Sequence, residues 1–432
     1  MTSTDTTAAG SSRRPPDVLA AFKVWLRIGL LSFGGPAAQI ALMHREIVDR
    51  HHWLDEKQFL NALSFCMLLP GPEAMQLATY AGWRLHGTIG GLIAGLLFVL
   101  PGALFILVLV TLYAYLGEVA WVSAFFLGIK AAVIIIVIEA LLKVSRRALL
   151  KPEHWVIAVL AFVGIFFFAL PFPLIITLAA IFGFLRADIV TAEITETVVK
   201  VSLLRTLGTI LLWLAVWWIP LIAILLLGDQ ELLNQIGLFF SKLAVVTFGG
   251  AYAVLAYLGQ DVVVQFGWLS AGEMMDGLGL AETTPGPLIL VNEFVGFLAA
   301  FREGGFWLGV MGAGITLWAT FVPCFLWIFA GAPYIDWIAT RPRLKSALSA
   351  ITAAVVGVIL NLSIWFALHV FFTEVEHQQT DVLVFWSPVM DSLDWRVPLL
   401  SLLSALLLFK LHFGISRMLI VVSTCGAVFS LI

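Results

Sequence analysis

The sequence predicts an all-α polytopic membrane protein: about 13 transmembrane segments in two inverted-topology repeats joined by a central helix, with helices broken at Gly-Gly and Pro-Gly-Pro motifs. Three observations lead there. Of 432 residues, 61% are hydrophobic and only 12% charged, a balance foreign to soluble domains of this size. At about 20 apolar residues per spanning helix, roughly 263 apolar residues fill about 13 spans and leave little for an extramembrane domain. The 36 glycines and 17 prolines suit close-packed and interrupted helices, which a lipid-embedded bundle tolerates where neighbours re-satisfy the backbone. Finally, the chain repeats itself.

Residues 1–17, polar and small, read as a disordered cytoplasmic tail that precedes an uncleaved first span. The N-terminal repeat, 18–186, holds apolar segments at roughly 19–43, 59–82, 87–116, 119–143, 155–170 and 172–186. The last two are one apolar stretch interrupted at Pro171-Phe172-Pro173, which predicts a tight hairpin because proline cannot donate into a continuing helix. A linker, 187–232, carries an unpaired span at 206–228. The C-terminal repeat, 233–432, holds segments at 235–258, 274–299, 305–331, 347–372, 397–411 and 413–432. Cys66, Cys324 and Cys425 lie far apart in apolar runs and read as small buried hydrophobes.

Phe33-Gly34-Gly35 returns as Phe248-Gly249-Gly250, Trp53-Leu54 as Trp268-Leu269, and Pro70-Gly71-Pro72 as Pro285-Gly286-Pro287, all at an offset of 215. After an insertion of seven residues the register resumes at 222, pairing Pro101 with Pro323, Ile129 with Ile351, Ala131-Ala132-Val133 with Ala353-Ala354-Val355, and Glu139 with Asn361. Six spans plus the odd central one would set the second copy upside down in the membrane. With the N-terminus inside, basic residues divide sixteen to five in favour of the cytoplasm, with Lys130, Lys242 and Arg417 inside spans, as the positive-inside rule requires. Arg45, Arg50 and Lys57 run against it, facing outward unless the first or second segment is re-entrant. Inverted repeats are a transporter signature, because two pseudo-symmetric halves open a midplane site to either side in turn.

Gly34-Gly35-Pro36 and Pro70-Gly71-Pro72 interrupt the first two segments, and Gly249-Gly250 and Pro285-Gly286-Pro287 their copies. Proline suits a first helical turn, so half-helices should start after Pro72 and Pro287 with free N–H groups and positive dipole ends directed into the bundle, an anion site; plain packing kinks are the bland alternative. Acids at membrane depth are functional candidates by default. Glu73 follows the first Pro-Gly-Pro directly, Glu282 precedes the second by three residues and Glu293 follows it by six, which suggests proton coupling. Glu139 is a weaker case. Lys242 or Lys130 would supply positive charge to a dianion, snorkelling being the alternative, and Gln39, Gln76, Thr283, Thr284 and Asn292 add neutral hydrogen-bonding groups. Gly87, Gly91 and Gly95, like Gly305 and Gly309, read as packing faces. The stretch 44–58, with three histidines, reads as an interfacial segment anchored by Trp53 rather than a metal site, because the adjacent His51 and His52 point apart.

These residues resemble the chromate ion transporter family in its long, two-domain form. The stretches that carry the likeness are FGGPAAQIALM at 33–43, ALSFCMLLPGPEAMQLATYAGW at 62–83, FVLPG at 98–102, KLAVVTFGGAYAVLAYL at 242–258 and GLAETTPGPLILVNEFVGF at 279–297. Met75 departs from the pattern, standing where glutamine is more usual. The resemblance implies export of chromate, a tetrahedral dianion, across a bacterial cytoplasmic membrane, driven by membrane potential or a proton gradient and conferring chromate resistance. The residues alone reach an inverted-repeat anion carrier; a sulfate or other oxyanion carrier and an anion channel are the alternatives. No nucleophile with a base, nor a His/Asp cluster at membrane depth, suggests an enzyme, and no cofactor is expected. Expected partners are the oxyanion, the lipid bilayer and at most a second copy in a homodimer, with no nucleic acid. The substrate-binding set is Gly34, Gly35, Pro70, Gly71, Pro72, Gln76, Lys242, Gly249, Gly250, Thr284, Pro285, Gly286, Pro287 and Asn292.

Overall fold

The computed structural model describes residues 16–117, 119–186, 202–227, 230–248, 251–335, 337, 341–379 and 383–429. The first half forms α1 (Val18–Leu31), α2 (Gly35–His44), α3 (Glu56–Cys66), α4 (Glu73–Leu116), α5 (Ala120–Ala148), α6 (Pro152–Phe168) and α7 (Phe172–Leu185). Helix α8 (Leu203–Leu227) follows alone. The second half forms α9 (Glu231–Val246), α10 (Ala251–Gln260), α11 (Ala271–Thr283), α12 (Val291–Gly331), α13 (Pro342–Phe371), α14 (Arg396–Ala405) and α15 (Ile415–Phe429). Between α13 and α14 stands an antiparallel hairpin of β1 (Val375–Gln379) and β2 (Val384–Pro388). The tail through residue 15, most of the linker, and Gly249 and Gly250 lie outside the described residues.

Local chemistry sets the boundaries, and it does so twice. Asp55 caps α3 in a reciprocal box with Gln58, and at the same repeat positions Ser270 caps α11 with Glu273, each satisfying two otherwise free N–H groups. Helix α4 begins directly after Pro72, whereas after Pro287 the chain makes one tight turn, Leu288–Leu290, before α12 starts. Both long helices bend back sharply, α4 at His86-Gly87 and α12 at Gly304-Gly305, where Gly87 has φ 62 and Gly305 φ 74. The seven-residue insertion is now legible: the second hairpin gains three residues between its Pro-Gly-Pro and its bend and four between the bend and Pro323, close to one turn per arm. The expected hairpin after α6 closes through Ala169, at φ 48, and Pro171.

Among the described residues, five helical runs are long and apolar enough to cross a membrane: α4, α5, α8, Leu288–Tyr334 and α13. The segments expected at 19–43 and 59–82 are instead pairs of short helices. With 14 residues in α1 and 10 in α2, each is about 15–21 Å long, less than the ~30 Å hydrocarbon layer. Contacts give their course. Trp53, at the tip between α2 and α3, packs on Trp25 of α1 at 5.9 Å; His86, at the α4 bend, reaches the Pro16 carbonyl at 2.7 Å; and a Cβ on Gly91, one turn past that bend, would meet Phe329 near the end of α12. The start of α1, the α2–α3 tip, the α4 bend and the end of α12 therefore share one face, here the N-terminal face. Helices α1 and α2 enter and return, as do α3 and the first arm of α4. Arg45, Arg50 and Lys57 thus join the basic N-terminal face. Arg302 and Arg396 are left as the basic residues of the opposite loops among the described residues.

The opposite face collects the α12 bend, where Arg302 donates to the Trp268 carbonyl at 2.7 Å, the end of α4, where Tyr115 meets Phe301 at 5.2 Å, and the end of α15, where Phe429 meets Trp395. Hence α4 climbs away from the N-terminal face while α12, its counterpart, descends toward it. Packing is exchanged between halves: α6 and α7 lie on α13, and α14 and α15 lie on α5. Small residues permit it, since a Cβ on Gly357 would strike the Ala158 carbonyl and one on Gly128 the Val422 carbonyl. Cys66 and Cys324 are buried and Cys425 half-buried.

Candidate functional site

Four chain breaks converge between the halves. The N–H of Gly71, in the first Pro-Gly-Pro, donates to the carbonyl of Thr247 at 2.8 Å, and the N–H of Gly286, in the second, donates to Ser32 at 2.9 Å. Ser32 and Thr247 are themselves repeat counterparts, so each Pro-Gly-Pro clasps the end of the other half's first helix. Gly71, at φ 115, and Gly286, at φ 93, hold left-handed backbone that a side chain would strain. A Cβ on Gly71 would also lie 2.8 Å from Cys324 Sγ and 2.9 Å from Gln76 Nε2. A Cβ on Gly102, the counterpart of Cys324, would strike the Pro285 carbonyl.

Glutamines fasten the clasp. Gln39 donates to the Gly286 carbonyl at 2.6 Å and Gln76 to the Pro70 carbonyl at 2.7 Å. Their Oε1 atoms, the Oδ1 of Asn292 and the Oε2 of Glu293 are buried with no protein hydrogen-bond partner. Asn292 donates to Thr320 at 3.3 Å, and Thr284 caps back onto the Ala281 carbonyl. Thr283 does the same to Leu280. Glu282 is buried. Met75 is buried within α4, its carbonyl and sulfur both facing the Thr79 hydroxyl.

Beside the clasp, toward the N-terminal face, opens a cavity of about 330 Å³ lined by Gly34, Gly35, Pro36, Glu73, Glu139, Lys143 and Arg147 among others. That is room on the order of ten waters. Gly34, at φ 86, starts α2 without a side-chain cap, so the free N–H groups and positive dipole end of α2 border this space. Glu73, first residue of α4, brings its carboxyl to the same wall. Glu139, Lys143 and Arg147 project from one face of α5 at successive four-residue steps. Glu139 and Lys143 pair at 2.7 Å, while Arg147 makes no salt bridge among the described residues. The α2 N-terminus and Arg147, whose charge also acts on the nearby Glu73, can together hold an anion in this small cavity.

The site residues read from the sequence thus divide. Gly34, Gly35 and Glu73 line the cavity; Pro70, Gly71, Pro72, Gln76, Pro285, Gly286 and Pro287 build the clasp behind it; Thr284, Asn292, Glu282 and Glu293 are buried on the second half's side. Lys242 stands apart, exposed on α9, with its ammonium 5.7 Å over the Tyr257 ring. Lys130 does not snorkel freely: it pairs with Asp276 at 3.3 Å. Arg147, Lys143 and Asp276 are not among the residues that the sequence singles out, although the spacing of the first two from Glu139 marks one helix face. A larger cavity of about 470 Å³ between α6 and α7 is apolar except for Glu153 and Arg186 at its mouth and holds none of these residues.

Broken helices that meet inside a polytopic bundle, beside a small cavity lined by a helix start and by charges of both signs, define a membrane transport protein of the discontinuous-helix class. The chain belongs to the chromate transporter family, whose profile matches residues 19–184 and 234–430. It is 33% identical over 346 residues to a chromate transport protein of Pseudomonas aeruginosa, covering 78% of each chain. It is 30% identical over 376 residues to one of Cupriavidus metallidurans, covering 82% of this chain and 84% of that one. An uncharacterized transporter of Methanocaldococcus jannaschii is 28% identical over 82% of this chain and 86% of its own. No solved structure matches.

Proposed function

We propose that this chain is a secondary carrier that exports chromate across the bacterial cytoplasmic membrane, with its N-terminal face in the cytoplasm, and so confers chromate resistance. One observation carries the reading: the reciprocal clasp of Gly71 on Thr247 and Gly286 on Ser32 ties four broken helices into one centre next to an anion-suited cavity. Residues 18–186 and 233–432 act as inverted repeats, supported by the opposite courses of α4 and α12, with 187–232 as the linker. Chromate enters the cavity from the cytoplasm, meets the α2 N-terminus and Arg147, and passes the clasp as the two halves rock. Gly249 and Gly250 serve the second half as Gly34 and Gly35 serve the first. An inside-negative membrane favours this direction by about 2.3 kcal/mol per charge per 100 mV, twice that for a dianion. The chain performs no chemical conversion, and a homodimer is compatible with the cycle.

The test is flux of radiolabelled chromate into inverted vesicles with sulfate as competitor. Chromate uptake little affected by excess sulfate supports the assignment, and sulfate uptake without chromate uptake replaces it by a sulfate carrier.

A further inference from the structure

On the far side of the clasp, three elements from both halves meet at one buried carboxylate. Asp276 on α11 is 2% exposed. Its Oδ2 accepts from the Tyr113 hydroxyl of α4 at 2.9 Å and faces Lys130 Nζ of α5 at 3.3 Å, while its Oδ1 is buried with no protein hydrogen-bond partner. Lys130 keeps 26% of its side chain accessible, and its ammonium lies beside Gly272 at the start of α11, next to the exposed Ser270, which puts the edge of the cluster at the loop side of the helix. The other charges that face it are Glu273, one turn earlier on α11, and Arg302 of α12, which Glu273 binds. Helices α13 and α15 also pack on α11 and bring no ionised group to Asp276 among the described residues. The repeat counterparts of Asp276, Lys130 and Tyr113 are Asn61, Thr352 and Ile335, none of which titrates in the physiological range. The cluster therefore exists on one side only, about 26 Å along α5 from Arg147.

We propose that Asp276 is the group at which a proton joins the transport cycle, an inference that rests on the carrier function proposed above. A buried ion pair is stable only while both partners stay charged. A proton from water on the Lys130 face adds to Oδ1, an O–H bond forms, and Lys130 loses its counter-ion. The freed ammonium then provides a second cationic station for the oxyanion, between the clasp and the far face. When the oxyanion leaves, the proton returns to water, and the Lys130–Asp276 pair re-forms and closes the path. Such a proton-dependent pair joining α4 and α5 of one half to α11 of the other would make the rocking of the halves depend on the pH of the Lys130 face.

The full chain reconstituted in liposomes, with potential clamped and a pH gradient imposed, tests this. For the wild type, acid on the Lys130 face should raise chromate flux severalfold; in Asp276→Asn the ratio of flux with and without the gradient should fall to one, and Asp276→Glu should restore part of it. A ratio in Asp276→Asn equal to that of the wild type overturns the proposal, as does a wild-type chromate flux indifferent to the gradient. If the asparagine variant does not insert, Lys130→Gln decides: without the lysine the pH profile should move to higher pH, and an unmoved profile overturns the assignment. Absence of any wild-type chromate flux would instead remove the carrier reading, and this inference with it.

Discussion

At the scale of single residues, the clasp depends on atoms that are not there. Gly102 leaves room for the Pro285 carbonyl, whereas its counterpart Cys324 fills the corresponding space against Gly71. Gly102→Ala should therefore displace the second Pro-Gly-Pro, at a cost of about 1–3 kcal/mol of overpacking, and lower chromate flux at least tenfold. Cys324→Ala only opens a small void, about 1 kcal/mol, and should lower it far less; equal losses in flux assays would contradict the asymmetry. Arg147→Gln should raise the half-saturating chromate concentration about tenfold, the loss of roughly 1.4 kcal/mol, and an unchanged value would remove Arg147 from the cavity's work.

At the scale of elements, the two bends of α4 and α12 carry the hairpins that hold the clasp. A Cβ on Gly87 would touch nothing within 4 Å, so Gly87→Ala should cost only its backbone, about 1–3 kcal/mol, because φ 62 with ψ −153 is open essentially to glycine alone, and Gly87→Asn should cost as much. Thermal unfolding in detergent checks both, and an asparagine variant as stable as the wild type would contradict this. Much of this was legible in the sequence: the repeated Gly-Gly and Pro-Gly-Pro motifs, the central unpaired helix and the hairpin at Pro171 all follow from residues whose backbone limits are local. What was not legible depends on distant neighbours. Hydropathy cannot tell one 25-residue span from two re-entrant helices, because both are apolar; only the packing of Trp53 on Trp25 separates them. Likewise Lys130 reads as a lone cation inside a span, and nothing in the sequence marks Asp276 as its partner, until the fold brings the two together across the halves.

At the scale of the whole molecule, the exchanged packing of α6 and α7 on α13, and of α14 and α15 on α5, makes one body of two repeats. The re-entrant course fixes which charges share a face. Cysteines placed at Lys57 and Arg147 should react with an impermeant maleimide from the same side of sealed vesicles, and one at Arg302 from the other; Lys57 labelling with Arg302 would restore two full spans in place of the re-entrant pairs. If the glycine clasp is the transport centre, chromate uptake into inverted vesicles must depend on Gly71 and Gly286. Gly71→Val and Gly286→Val should both reach the membrane in wild-type amounts and carry no chromate above background. Uptake retained by both would contradict that role.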